Sequence, residues 1–139
     1  MTKYFIGVAC LNHVQRGVAG GFAQLGHGKK TGLARLDIGD WLIYYSPRTE
    51  MKSGDVLQAF SAIGQVIGEI HQVSGDCPYR RDVAFRQASL APIKPLISQL
   101  SFVKDPQRWG YPFRVGQLEI VKTDFDLIAG AMLTGLQDK

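Results

Sequence analysis

Three short segments mix aromatic and basic side chains in a way that suits binding of single-stranded nucleic acid. They are residues 44–48 (YYSPR), 78–81 (PYRR) and 108–114 (RWGYPFR). A ring can stack on a base while a neighbouring guanidinium binds its phosphate, and each stacked base contributes about 1–3 kcal/mol. The same rings could instead be core residues, as the alternating pattern of residues 41–46 suggests for Trp41 and the tyrosines. The segments therefore predict either base stacking or core packing.

Motifs for other chemistries are incomplete. Residues 28–31 (GKKT) resemble a phosphate-binding loop, but Lys30 stands where that loop needs Ser or Thr, and Ala23 stands where it needs its first glycine. There is no Gly-x-Ser-x-Gly elbow, and the histidines form no His-x-x-x-His pair. We predict no catalytic residue, no metal site and no cofactor, although the sequence does not exclude an enzyme.

Positive charge is concentrated in two blocks of the chain. Residues 1–36 carry five basic groups and no acidic group, and residues 78–114 carry seven basic and two acidic groups. The two remaining blocks are net acidic, and the whole chain has a formal charge of +4. If the two basic blocks meet in space, they form a face suited to phosphates; if not, they are solvated side chains.

Length and composition favour one soluble domain. The chain has 139 residues, 45% of them hydrophobic and 20% charged, which is typical of a globular protein. No apolar stretch reaches the ~20 residues of a membrane span, and no signal peptide is visible. The two cysteines are not part of a Cys-x-x-Cys pair. We therefore predict a single domain over residues 1–139, cytoplasmic and without a membrane partner.

Strands and short helices must position the candidate residues. Apolar runs predict strands at residues 3–10, 41–46 and 117–121, the second of them ended by Pro47. Residues 58–73 predict a long strand with Phe60, Ala62 and Val66 on one face and bulges at Gly64 and Gly68. Six glycines between residues 13 and 33 predict a short helical turn and then a loop. Residues 124–133 predict a helix with one apolar face.

Nine sequence blocks, taken in order, resemble the EVE-domain proteins of the PUA-like superfamily, which are similar to YTH domains. The blocks are 12–14 (NHV), 17–18 (GV), 20–24 (GGFAQ), 27–29 (HGK), 39–41 (GDW), 44–47 (YYSP), 58–64 (QAFSAIG), 78–81 (PYRR) and 109–110 (WG). The resemblance covers nearly the whole chain. It implies an α+β fold with a PUA-like mixed, barrel-like sheet flanked by short helices, and a cavity beside that sheet.

The resemblance also implies a non-catalytic role in nucleic-acid binding. YTH domains hold a methylated adenine of RNA in an aromatic pocket, so the expected partner is RNA or DNA that carries a modified base. Six residues are assigned to the base pocket: Asn12, His13, Phe22, Tyr45, Ser46 and Trp109. Four basic residues are assigned to phosphates: Lys29, Arg80, Arg81 and Arg114. Phe22 stands where relatives often have tryptophan, which gives a smaller wall without an indole N–H.

The sequence is also compatible with two functions other than binding of a modified base. The same cavity could hold a small molecule, or could be the site of an enzyme acting on a nucleoside or an acidic metabolite. The chain could also be a protein-interaction module. The sequence does not distinguish DNA from RNA, and it does not show which modification would be read.

Overall fold

In the computed structural model the chain is described over residues 1–25, 30–51, 54–73 and 79–137, with side chains to residue 133. The strands are β1 (Tyr4–Val8), β2 (Phe22–Ala23), β3 (Trp41–Arg48), β4 (Val56–Gln72), β5 (Tyr79–Phe85), β6 (Ala91–Pro92) and β7 (Gln117–Ile120). The α-helices are α1 (Leu11–Gly20), α2 (Lys30–Ala34) and α3 (Lys122–Gln137), and three 3-10 helices span Lys94–Gln99, Pro106–Arg108 and Tyr111–Val115.

The described strands form one mixed sheet in the order β2-β5-β4-β3-β1-β7, with β6 paired to β4. Strand β1 runs parallel to β3 and antiparallel to β7, and the other pairs are antiparallel. The predicted α+β class, with a mixed sheet and short flanking helices, is confirmed. The strand order is an open path, so this sheet does not close into a barrel.

The central strands are buried on both faces, and their alternate side chains enter two separate hydrophobic cores. Ile6 and Ile43 pack in the core beneath α3, whereas Phe5 and Leu42 pack in the core beneath α1 and α2. Helix α3 turns Phe125, Ile128 and Met132 into the first core, as its apolar periodicity predicts. We call these the α3 core and the α1 core.

The segment after β1 is more helical than its glycines predict. Helix α1 has ten residues and ends at Gly21, whose φ of 73° is left-handed. Gly17 is needed inside the helix because a Cβ there would lie 2.6 Å from the carbonyl oxygen of Phe22. The prediction of only a short helical turn was therefore wrong: Gly17 packs inside a ten-residue helix and Gly21 caps its end, while residues 26–29 of the predicted loop lie outside the described residues.

Strand β3 continues through Pro47, where the sequence predicts its end. Ser46 pairs with Ala59 and Arg48 with Val56, so Pro47 faces two residues of β4, Leu57 and Gln58. Proline has no N–H to donate to a ladder, and a bulge in the neighbouring strand accommodates that gap. The bulge in β4, which we call the Pro47 bulge, lets β3 continue past Pro47 although the proline donates no hydrogen bond to β4.

A second bulge in β4, opposite the step from Tyr44 to Tyr45, sends the residues on its two sides into different cores. Tyr44 pairs with Ala62, but Tyr45 pairs with Phe60, so Ser61 is the extra residue. Phe60 consequently packs in the α3 core and Ala62 in the α1 core, which corrects the prediction that they share a face. The register also shifts across Gly68, as predicted. Gly64 instead permits close approach, since a Cβ there would lie 2.6 Å from Cγ1 of Val83.

Candidate functional site

The carboxyl ends of β1 and β3 meet at one end of the sheet because the two strands are parallel. Just beyond the strands, Ala9 N donates to Tyr45 O at 3.1 Å and Asn12 N donates to Thr49 O at 3.0 Å. Val8 N donates to Gly116 O at 2.9 Å, which brings in the segment before β7. Three distant parts of the sequence therefore converge at this end of the sheet.

A cleft of about 660 Å³ opens at this end, on the α3-core side. We call it the aromatic cleft. Its lining consists of Val8, Tyr45, Pro47, Gln58, Gln107, Arg108, Trp109, Gly110, Tyr111, Phe113 and Arg114. The volume lies within the ~300–1,000 Å³ of typical small-molecule and cofactor sites.

Rings packed against one another form the walls of the aromatic cleft. Tyr45 stacks on Phe113 with ring centroids 4.2 Å apart and planes 13° apart. Trp109 meets Tyr45 edge-on at 6.5 Å. Tyr45 is almost fully buried and Trp109 is half-buried, so the tryptophan offers more of its surface to an incoming ligand. Edge and stacked contacts of this kind fix ring orientation.

Positive charge lies on the rim of the aromatic cleft. Arg108 and Arg114 are both exposed, and Cζ of Arg114 lies 5.0 Å from the ring centroid of Tyr111. Within the part of the chain that the structure describes, no acidic residue lines the cleft. The rim can therefore bind an anion without a competing carboxylate.

Gln58, which lines the aromatic cleft, has an uncommon backbone conformation. Its φ is 53°, in the left-handed region, and it lies in the Pro47 bulge. For a residue with a Cβ that conformation costs about 1–2 kcal/mol. The backbone is held there by Ile93 N, which donates to Gln58 O at 3.0 Å.

Burial keeps the hydroxyl of Tyr45 neutral. Desolvation raises the pKa of Tyr45 to about 12. Its neighbour Tyr44 points into the other core, where burial also raises the pKa, and its hydroxyl donates to Gln24 O at 3.1 Å. Neither ring carries charge near neutral pH.

The structure separates two of the predicted base-pocket residues. Tyr45 lies in the aromatic cleft, but Ser46 follows it on the strand and faces the other way. Ser46 is fully buried, and its Oγ lies 2.7 Å from Oγ of Ser61. The prediction that Tyr45 and Ser46 face the same region was therefore wrong. Trp109 lies in the cleft beside Tyr45.

Asn12 and His13 lie in the first turn of α1, next to the end of β1, and both are half-buried. Oδ1 of Asn12 accepts a hydrogen bond from Sγ of Cys10 at 2.9 Å. Neither residue lines the aromatic cleft as the structure describes it. They occupy the same end of the sheet without sharing its cavity.

Phe22 lies beyond the other end of α1, beside Arg80. Cζ of Arg80 lies 3.9 Å from the ring centroid of Phe22, and we call this the Phe22–Arg80 pair. Helix α1 comes close to this ring, because a Cβ on Gly20 would collide with Cε2 of Phe22. Nε of Arg80 is buried without a hydrogen bond to a described residue. The pair is a cation–π contact within the protein.

Arg81 is a structural residue and does not form an accessible phosphate site. Only 6% of it is exposed. Its Nε donates to Gly68 O at 2.8 Å, and Nη1 donates to Leu36 O at 2.9 Å and to Leu33 O at 3.2 Å. Nη2 lies 4.0 Å from Oε2 of Glu69, so three carbonyls and a carboxylate already surround this guanidinium, which contradicts the prediction that Arg81 is an accessible phosphate site. The residue ties α2 to β4.

The other predicted phosphate residues differ in position. Arg114 is on the rim of the aromatic cleft, Arg80 is in the Phe22–Arg80 pair, and Lys29 lies outside the described residues. Arg108 and Tyr111 line the cleft but were not among the predicted site residues, although both belong to the cluster at residues 108–114. Gln58 belongs to the block at residues 58–64 that carries the family resemblance, but no functional role was predicted for it.

The described residues contain neither a membrane-spanning helix nor a cluster of metal ligands. No helix in the described parts of the chain is long and apolar enough to cross a membrane. Within those same parts, no three His, Cys, Asp or Glu side chains are grouped so that they could hold a metal ion.

Known proteins resemble this chain in sequence and in fold. A family model described as the EVE domain matches residues 3–131. A UPF0310 protein of Mycolicibacterium gilvum is 46% identical over 140 residues, which cover 98% of this chain and 99% of the relative. A UPF0310 protein of Bacillus licheniformis is 44% identical over 126 residues, with 88% and 86% covered. The solved Mmi1 YTH domain in complex with RNA superposes with a TM-score of 0.60 at 9% identity, covering 99% of this chain and 81% of that one.

Proposed function

The chain belongs to the EVE-domain family, and from that premise we propose that it binds single-stranded nucleic acid and holds one base in the aromatic cleft. The observation that carries this proposal is the cleft itself, where packed rings lie beside two exposed arginines. The fold is that of YTH domains, and one YTH neighbour is a complex with RNA, which supports a nucleic-acid partner. DNA and RNA both remain candidates.

The walls of the cleft suit a flat, apolar ligand. Trp109 is half-buried and edge-on to Tyr45, and a base placed against it would cover apolar surface on the ring. Stacking of this kind contributes about 1–3 kcal/mol per base and works for every base, because each has a π-face. The cleft therefore accounts for affinity more readily than for sequence preference.

The rim suits the phosphates of the same strand. Arg114 and Arg108 flank the aromatic cleft, so each can bind a phosphate next to the stacked base. Lys29 and Arg80 are proposed as outer phosphate contacts. Each neutralised phosphate makes the affinity more sensitive to salt, because counterions leave the strand when the protein binds.

The finer part of the proposal is that the held base is modified. A methyl group buried against the rings would contribute about 0.8 kcal/mol, which corresponds to about a fourfold preference over the plain base. Asn12 and His13, which lie at the same end of the sheet but outside the cleft, are proposed to hydrogen-bond the edge of the base where it extends beyond the cleft. A modest preference is therefore expected, not an all-or-none choice.

The test is fluorescence anisotropy at one salt concentration, with short single-stranded RNA and DNA probes that differ by one methylated base. Wild-type protein should prefer one modified probe. Trp109→Ala should weaken binding and remove that preference, and Trp109→Phe, which keeps a ring, should restore part of both. Salt-insensitive binding of free nucleosides without affinity for strands would instead indicate a small-molecule site. No binding of either kind would favour a protein partner.

A further inference from the structure

Tyr111 is the most exposed ring that lines the aromatic cleft. Tyr45 and Phe113 are buried in the α3 core, and Trp109 packs partly against the same core. Tyr111 belongs to neither core as the structure describes them, and 61% of it is exposed. A single exposed ring is ordinary on a protein surface, so its role depends on how the ring is held and what surrounds it.

The backbone around Tyr111 fixes the place of the ring. Tyr111 is the first residue of the third 3-10 helix, and Pro112, which follows it, restricts the backbone there. Phe113 N donates to Gly110 O at 3.1 Å, and the ring of Phe113 stacks on Tyr45. Tyr111 therefore projects from a helix that is anchored to the α3 core.

Arg114 contacts the Tyr111 ring and still leaves much of the side chain open. Residues i and i+3 of a 3-10 helix lie one above the other, and Cζ of Arg114 lies 5.0 Å from the ring centroid of Tyr111. A cation over a ring favours one orientation of that ring. Among the described residues this is the one ring contact of Tyr111. The ring is thus oriented but accessible to a second flat group.

We infer that Tyr111 stacks the base next to the one held at Trp109, so that the ligand is a step of two adjacent bases. This inference rests on the proposed function. The two rings are separated by one residue in the sequence and line the same cleft. Arg108 precedes Trp109 in the chain, and Arg114 lies beside Tyr111 in space.

Each pairing of a ring with an arginine suits one nucleotide. The base needs a flat apolar partner, and its phosphate needs a cation. Proteins that bind single strands combine rings for successive bases with positive charge along the backbone. No acidic residue lines the cleft in the described parts of the chain, so charge also favours a strand with several phosphates over a free nucleoside.

The experiment compares two labelled strands of four nucleotides, made of RNA or DNA according to which the wild type binds more tightly. One strand has two adjacent bases and two abasic positions, and the other has one base and three abasic positions. The number of phosphates is equal, so the difference in affinity measures the second base. In fluorescence anisotropy at one salt concentration, wild-type protein should bind the two-base strand about tenfold more tightly, because one further base is stacked.

Tyr111→Ala should remove this advantage while leaving the affinity for the one-base strand unchanged, because the single base still stacks on Trp109. Tyr111→Phe keeps a ring and should keep the advantage. Val115→Ala is the matched control, because Val115 is 75% exposed on the same 3-10 helix and does not line the cleft. It should leave both affinities unchanged. Because Tyr111 is mostly exposed, Tyr111→Ala should unfold at the same urea concentration as wild type.

Two results with Tyr111→Ala would overturn the inference. An unchanged advantage of the two-base strand would show that the second base lies elsewhere. An equal loss for both strands would show that Tyr111 only positions Arg114 at a phosphate. If wild-type protein gains nothing from the second base beyond its statistical advantage, the inference fails while the proposed function stands. Absence of binding to any strand would overturn both.

Discussion

The aromatic cleft and the Phe22–Arg80 pair contain the same kinds of side chain but differ in what the ring meets. In the cleft, Arg114 lies 5.0 Å from Tyr111 on an exposed rim, and Trp109 keeps part of its surface open. In the pair, Arg80 lies 3.9 Å from the centre of the Phe22 ring and covers one of its faces. A base could stack at the first place directly, but at the second only on what the guanidinium leaves uncovered.

Aromatic and basic neighbours in a sequence can therefore satisfy one another. Arg80 contacts a ring of its own protein, and Arg81 satisfies three main-chain carbonyls. Arg48 of the first segment is exposed but donates from Nη1 to Gly54 O at 2.9 Å, whereas Arg108 and Arg114 of the cluster at residues 108–114 are both exposed on the rim of the cleft. A candidate nucleic-acid site is therefore better recognised by rings and cations that remain unused than by their density along the chain.

The largest effect is expected on the stability of Arg81→Met. Comparing it with Arg80→Met tests whether Arg81, unlike Arg80, is a structural residue. The change removes the Arg81 donor from the carbonyls of Gly68, Leu33 and Leu36, of which Leu33 O keeps the hydrogen bond from Leu36 N. The free energy of unfolding should fall by about 3 kcal/mol, because buried unsatisfied groups cost about 1–3 kcal/mol each and the site can partly relax.

Urea denaturation of both variants, Arg81→Met and Arg80→Met, measures the change in the free energy of unfolding. Arg80→Met removes a cation–π contact and should cost about 0.5–1 kcal/mol. Equal losses in the two variants would mean that Arg81 does not hold α2 in place.

The next effect is expected on binding affinity. Variants in the aromatic cleft and in the Phe22–Arg80 pair compare the two regions directly. Trp109→Ala should lower the affinity for a single-stranded probe about tenfold, since one stacked base is lost. Phe22→Ala should lower it less than threefold, because the Phe22 ring is already covered by Arg80. Anisotropy titrations of both variants, with unfolding checked separately, make the comparison. A larger loss in Phe22→Ala would move the base site to the Phe22–Arg80 pair.

A smaller effect is expected on the salt dependence of binding. Arg114→Gln should reduce the slope of log affinity against log salt by about 0.7, the value for one phosphate of a single strand. Arg35→Gln removes the same charge at an exposed position that does not line the aromatic cleft, and it should leave the slope unchanged. Titrations at four salt concentrations distinguish the two, and equal slopes for both variants would contradict a phosphate contact at Arg114.

The smallest effect is expected from Tyr45→Phe and concerns alkaline pH. Burial raises the pKa of Tyr45 to about 12 in the folded protein, while the unfolded value is near 10. The neutral hydroxyl thus contributes stability that is complete below pH ~10 and is lost as pH rises towards ~12. Wild type should lose more stability than Tyr45→Phe between pH 9 and pH 11 in urea denaturation. Parallel losses would show that this hydroxyl stays hydrated.

Much of the fold was readable because apolar runs and periodicity depend on local sequence. Strands β1, β3 and β7 lie close to their predicted positions, and α3 buries the face that its spacing indicates. The bulge at Pro47 could not be predicted, since it depends on which residues of β4 pair with the proline. The length of α1 was missed because glycines that pack closely look the same in a sequence as glycines that open a loop.

The candidate site was readable only in part. Adjacent residues on a strand face opposite sides, so the separation of Tyr45 from Ser46 follows from a rule that the sequence analysis did not apply. The burial of Arg81 is different, because it depends on how α2 docks beside β5. Alternation along β5 places Arg80 and Arg81 on opposite faces, but no local pattern shows which of the two is buried, and Gln58 became notable only through its backbone conformation.

The position of β1 between β3 and β7 has a consequence for how the chain is synthesised. Strand β3 ends at Arg48, but β7, which pairs with the second edge of β1, ends at Ile120. Ribosomes add about 5–20 residues per second, so the intervening stretch of about 70 residues takes roughly 4–14 s. During that interval the nascent chain carries an apolar strand with one edge unpaired. Until β7 has been synthesised, this edge of β1 is open to chaperones and to other nascent chains. That exposure ends only shortly before α3 is made, because α3 directly follows β7.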